Sequence, residues 1–100
     1  MITLQQAHVE EMYAHAREAC PAECCGLIGG GAGGTARSVY RLRNVARERL
    51  VTYEAAPEDL FDAQRQMRAR GEQLLGIYHS HPRSVDPVPS GTDVRMAYYP

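Results

Sequence analysis

One hundred residues at 44% hydrophobic and 23% charged describe one ordinary globular domain with a modest core, neither a disordered chain nor a membrane protein. A formal net charge of -1 supplies no field that would recruit nucleic acid or an anionic membrane. No apolar run approaches the ~20 residues of a membrane span, and Met1 to Glu11 lacks the basic and apolar regions of a signal peptide, so a cytoplasmic protein is expected.

Thr3-Leu4-Gln5-Gln6 has the form of a capping box, and a helix is expected from Leu4 to Ala19. Val9, Met12, Ala16 and Ala19 fall on one face of it, while His8 and His15 read as surface or packing histidines. Pro21 ends the helix. Cys20, Cys24 and Cys25 are an odd number within six residues, which speaks against a disulfide framework. Cys24 and Cys25 read as small buried strand residues in a reducing compartment, with metal ligation the weaker alternative.

Cys24 to Gly29 is a short apolar strand. Gly30-Gly31-Ala32-Gly33-Gly34 follows as a hairpin turn, and with no Lys-Ser/Thr and no helix after it this is not a phosphate loop. Ala36 to Arg43 alternates as a strand, and Leu50 to Glu54 reads as another. All eleven basic residues are arginine, clustered at Arg37, Arg41, Arg43, Arg47 and Arg49 and again at Arg65, Arg68 and Arg70. Solvated strand and helix faces account for them, the alternative being a docking surface for an acidic protein. Pro57 opens a second helix with Glu58 and Asp59 at its positive end; Leu60, Ala63 and Met67 mark its buried side and Gly71 its end. Strands alternating with two long helices predict a three-layer α/β fold, a mixed sheet flanked by helices.

Gln73 to His81 is the last strand before a cluster of chemistry-bearing residues. His79 and His81, at i and i+2, point their imidazoles the same way. Asp93 can return to them if the chain loops and enters a helix at Ser90, with Ser90 as its N-cap and Asp93 at the third position. Two imidazoles, one carboxylate and a fourth position left to water form the ligand set of a catalytic rather than a structural zinc. Glu23, far upstream, is placed to supply a base. Taken singly each residue has a plainer explanation: a chance His-x-His, a surface carboxylate after a proline, a capping serine. Ser80, between the histidines, faces away and packs.

Taken in order, Pro21-Ala22-Glu23-Cys24-Cys25-Gly26-Leu27-Ile28-Gly29-Gly30, then Gly76-Ile77-Tyr78-His79-Ser80-His81-Pro82, then Pro89-Ser90-Gly91-Thr92-Asp93, the chain resembles the JAMM (MPN+) zinc metalloprotease family. The similarity covers nearly the whole length, with one departure. Eleven residues separate His81 from Asp93 where the family usually has ten, a one-residue insertion in a loop. The resemblance implies that residues 1–100 form a single domain of that cytidine-deaminase-like fold. In the family, further strands follow this point, so the closing strands are expected to be missing, leaving an unpaired sheet edge at or beside the strand of His79. Such an edge favours a homodimer.

The resemblance further implies Zn²⁺ held by His79, His81 and Asp93, with Glu23 as general base and the Ser90 hydroxyl facing the oxyanion. The activity it implies is hydrolysis of an amide or isopeptide bond, often after a Gly-Gly tail. A compact, lysine-free single domain is similar to the family's bacterial branch, whose partners are ubiquitin-like or sulfur-carrier proteins. Two alternatives stay open: a zinc amidohydrolase for a small molecule or short peptide, and a metal-free interaction module.

Overall fold

A computed structural model describes residues 2–50 and 52–80, and residues 92–96 as a backbone strand. The elements run α1 (Gln6–Ala19), β1 (Cys25–Gly30), β2 (Ala36–Leu42), α2 (Pro57–Ala69), β3 (Gln73–Ser80) and β4 (Thr92–Met96). The strands form one sheet in the order β2-β1-β3-β4. Among the described residues the paired strands run antiparallel, and the parallel contribution is an isolated bridge between Thr3 and Thr35.

Each helix covers one face of this sheet, as the alternation of apolar residues requires. Met12 and Ala16 of α1 pack with Cys24, Ile28, Leu75 and Tyr78; Ala63 and Met67 of α2 pack with Cys25, Leu27, Tyr40 and Leu42. In β1, Cys25 and Leu27 therefore serve one layer and Ile28 the other, the period of two expected of a strand buried on both sides. A bulge adjusts β3: Ile28 pairs with Gly76 but Gly29 with Leu74, so Leu75 is the extra residue. The shift sends Leu75 and Tyr78 towards α1 while Leu74 and Ile77 pack towards α2. The glycine run turns β1 into β2, with Gly34 at φ 87° and its N–H donating to the Gly31 carbonyl at 3.0 Å.

Three local expectations are corrected. The capping box at Thr3 does not form; α1 begins at Gln6 without a side-chain cap. Thr3 is instead used by its backbone, donating to Gly34 O at 2.8 Å and accepting from Ala36 N at 2.9 Å, so strand pairing outcompetes the cap. The strand expected at Leu50 to Glu54 does not form at its described residues, Leu50 and 52–54, because the Asn44 side chain takes up the backbone groups that a partner strand would have used: Thr52 O accepts from its Nδ2 and Glu54 N donates to its Oδ1. Finally, residues 92–96, including Asp93, lie in β4 and not in a helix begun by Ser90. The open ladder of β3, from Gly76 to Ser80, offers this β-branched stretch a partner. Consequently β3, the strand of His79, is flanked on both sides, and β2 and β4 are the outer strands among the described residues.

Two arginines of the first cluster are paired with the helices on the surface. Arg41 bridges Glu11 and Glu18 of α1 at 2.6 and 3.0 Å, and Arg43 meets Asp59 and Glu58 of α2 at 3.0 and 3.1 Å. These pairs orient the helices against β2 more than they stabilise the fold.

Beneath α1, Tyr78 is fully buried and its hydroxyl lies 2.7 Å from His15 Nδ1, the rings meeting edge to face. Burial is the largest influence on both groups: it lowers the His15 pKa, with Arg41 adding to the effect and Glu18 and Glu11 opposing it, and it raises that of Tyr78. The bond thus joins two neutral groups. Because the folded state resists protonating His15, its contribution is complete above the ordinary value of 6.5 and is lost as pH falls below it. The thermal midpoint is expected to fall more steeply through that range in the natural chain than in His15→Gln; parallel falls would refute the linkage.

Candidate functional site

Antiparallel pairing of β1 with β3 sets Cys25 opposite His79. Glu23 lies two residues before Cys25, ahead of the strand, and its backbone is bonded on both sides: its N–H donates to Arg49 O at 2.7 Å and its carbonyl accepts from Asn44 Nδ2 at 2.9 Å. Both side chains are buried, Glu23 at 4% exposure and His79 at 6%, and Glu23 Oε1 lies 3.9 Å from His79 Nδ1. That separation exceeds a hydrogen bond, so the two groups face each other without a direct bond between these atoms. A carboxylate and an imidazole enclosed together need polar partners, since isolated burial of either is costly. Tyr53 covers the imidazole from the α2 side, its ring stacked at 4.8 Å between centroids and 27° between planes.

The opposite face of this strand end is tied down by Ser80 and Tyr78. Ser80 Oγ accepts from Cys24 N at 2.9 Å, and Ser80 N donates to Cys24 O at 3.1 Å, which locks the end of β3 to the residue before β1. This is the packing task expected of Ser80. Gly26 matters because the Tyr78 ring crosses it: a Cβ there would fall on the ring itself. Cys25 is buried, its thiol turned to Leu42 O at 3.9 Å, and burial first and Cys24 next push its pKa up to about 12. Cys24 is likewise raised by burial, so neither thiol is poised as a nucleophile.

Of the five residues singled out in the sequence, Glu23 and His79 are therefore brought together. Asp93 is in β4 as the Cα partner of His79. His81 and Ser90 lie outside the described residues. Among the described residues no three donors of the His, Cys, Asp and Glu types cluster as a metal site, and neither His81 nor the Asp93 side chain is among those described.

Asn44 and Tyr53 are site residues that sequence reading did not find. Asparagine after a strand is a turn signal, but nothing local shows that this one reaches Glu23. Beside Asn44 a cleft of about 1160 Å³ opens between the end of α1 and residues 44–50, with Glu23 on its wall. Pro21, Val45 and Leu50 give it apolar surface and Arg47 and Arg49 give it charge.

Comparison with known proteins gives this geometry a context. Residues 5–100 match a family model described as prokaryotic homologs of the JAB domain. A desampylase of Haloferax volcanii is 38% identical over 96 residues, an alignment covering 91% of this chain and 68% of that protein. A probable TtuB-protein conjugate cleaving protease of Thermus thermophilus is 37% identical over 92 residues, covering 89% of this chain and 58% of its own. The solution structure of a Desulfitobacterium hafniense protein superposes with a TM-score of 0.76 at 39% identity, over 86% of this chain and 60% of that one. The chain thus spans 68% and 58% of the length of these two curated relatives.

Proposed function

Since the chain belongs to the prokaryotic JAB-domain family, we propose that it is a zinc-dependent isopeptidase releasing a ubiquitin-like or sulfur-carrier protein from a conjugate joined through its Gly-Gly tail. The observation that carries the reading is the enclosed pair of Glu23 and His79, 3.9 Å apart at the end of the sheet. The names of two relatives, one of them a conjugate-cleaving protease, support the substrate class.

The donor chemistry suits zinc: His79 offers a buried imidazole, and His81 and Asp93 supply the remaining nitrogen and oxygen donors in the sequence. These three residues would hold the ion, which when bound polarises a carbonyl and lowers the pKa of water to about 7. The chain's own groups do the rest. The Glu23 carboxylate accepts a proton from the attacking water and returns it to the departing nitrogen. The Ser90 hydroxyl donates to the oxyanion that develops on the former carbonyl. Tyr53 and the buried surroundings of His79 keep bulk water from competing for these groups.

The test compares two substrates on the zinc-loaded chain: a Gly-Gly-tailed ubiquitin-like protein linked to a lysine amine, and a dipeptide amide. Cleavage of the first after its terminal glycine, with little turnover of the second, is expected. The reverse preference would favour the small-molecule amidohydrolase, and no turnover of either would favour the interaction module. Metal analysis should find about one zinc per chain and its loss in His81→Ala; retention by that variant would refute the ligand set.

A further inference from the structure

The loop between the Asn44–Ala55 bridge touches both described halves of the site. The Asn44 Oδ1 accepts from Ala46 N and Glu54 N, both at 3.0 Å, and so closes the loop on itself. Its Nδ2 reaches outwards to the Glu23 carbonyl at 2.9 Å as well as to Thr52 O at 3.1 Å. From the other side, the Glu23 N–H donates to Arg49 of the same loop at 2.7 Å. Both backbone polar groups of Glu23 are therefore bonded to this loop. Further along it, Tyr53 stacks on the His79 imidazole.

We infer that this loop is a positioning device, in which Asn44 fixes where the Glu23 carboxylate stands and Tyr53 fixes the plane of the His79 ring. The reaction served is the one proposed above; the positioning itself is a property of the folded chain. Glu23 precedes β1, so the β ladder does not hold it, and a carboxylate on an unanchored peptide would wander by more than proton transfer tolerates. Sheet pairing sets the backbone of His79, and the Tyr53 ring stacked on its imidazole opposes rotation of that ring about χ2. Because Asn44 closes the loop that carries both contacts, the separation of the two groups is set by one element. The division of labour within Asn44 makes this testable. Two acceptor bonds, from Ala46 and Glu54, close the loop, and the donor amide binds Glu23 along with one loop carbonyl, that of Thr52.

Asn44→Asp keeps the acceptor oxygen and removes the donors, since a carboxylate offers no N–H. In the isotope-labelled full chain, this variant is expected to lower hydrogen-exchange protection of the Glu23 amide at least roughly tenfold while the Leu27 and Ile28 amides of β1 keep theirs. Tyr53→Leu is expected to shift the His79 ring resonances, and Tyr53→Phe to restore them. On the Gly-Gly isopeptide substrate, Asn44→Asp and Tyr53→Leu should lower kcat roughly 10- to 100-fold with KM within about twofold, and Tyr53→Phe should turn over like the natural chain. Unchanged Glu23 protection in Asn44→Asp would overturn the inference. So would equal loss of protection at Leu27 and Ile28, which marks general weakening, or unaltered kcat in both disruptive variants. If the natural chain does not cleave the conjugate, the proposed function fails, and the exchange and ring-shift results still decide the positioning.

Discussion

Glu23→Gln is expected to retain zinc and substrate binding while turnover falls by roughly 10²- to 10⁴-fold, the usual worth of a positioned acid–base group. The substitution is unusually clean at this position. Glu23 is anchored through its peptide N–H and carbonyl, to Arg49 and Asn44, so its backbone has no reason to move when the side chain changes. Glutamine fills the same buried volume beside His79 and still offers an oxygen and an amide to hydrogen-bond. What it cannot do is accept a proton at neutral pH and return it to nitrogen. A fourth protein ligand would close the metal's open position, which is why a base is expected here and not a ligand. Zinc content and kcat measured on the same preparation separate the roles. Loss of zinc would make Glu23 a ligand, and undiminished kcat would make it a bystander.

The parts of this fold written in local pattern are the parts that sequence reading finds. The faces of α1 and α2, with Met12, Ala16, Ala63 and Met67 buried, follow from a period of 3.6, and the Gly31–Gly34 turn follows from its glycines. What escapes is decided between distant segments. Thr3 looks like a cap until Gly34 and Ala36 claim its backbone. Leu50 to Glu54 looks like a strand until one amide side chain satisfies its hydrogen bonds. Thr92 to Met96 follows a capping pattern and pairs with β3 instead, because an open ladder is a stronger offer than a cap. The bulge at Leu75, which puts Leu75 in one layer with Tyr78 three residues on, leaves no mark in composition. The site shows the same division. Glu23 and His79 stand out by type and order, and β1–β3 pairing sets them side by side. Asn44 and Tyr53 act through a carbonyl and a ring face, contacts that no motif encodes.

Gly26→Ala is expected to destabilise the chain by about 2–6 kcal/mol, the sum of overpacking a filled core and of leaving a buried hydroxyl without a partner. A single methyl group has this effect because of what lies above it. Gly26 pairs in register with Tyr78, whose ring lies where the new Cβ would stand. That ring cannot retreat cheaply: it is fully buried among Met12, Ala16, Cys24 and Ile28, and its hydroxyl is held by His15 at 2.7 Å. Moving it breaks the bond to α1 and drags on His79, its neighbour in β3. Against a total stability of about 5–15 kcal/mol for a domain of this kind, such a loss leaves much of the population unfolded at elevated temperature. Gly33→Ala is the matched control, since nothing lies within 4 Å of a Cβ there, and it should change stability by less than about 0.5 kcal/mol. The double variant Gly26→Ala with Tyr78→Leu, which trims the obstructing ring, should lose less than the two single variants added together, by about 1 kcal/mol or more. Urea unfolding of the natural chain and the four variants, Gly26→Ala, Gly33→Ala, Tyr78→Leu and the double, measures both quantities. A Gly26→Ala variant as stable as Gly33→Ala, or strict additivity in the double, would show that the ring does not constrain residue 26.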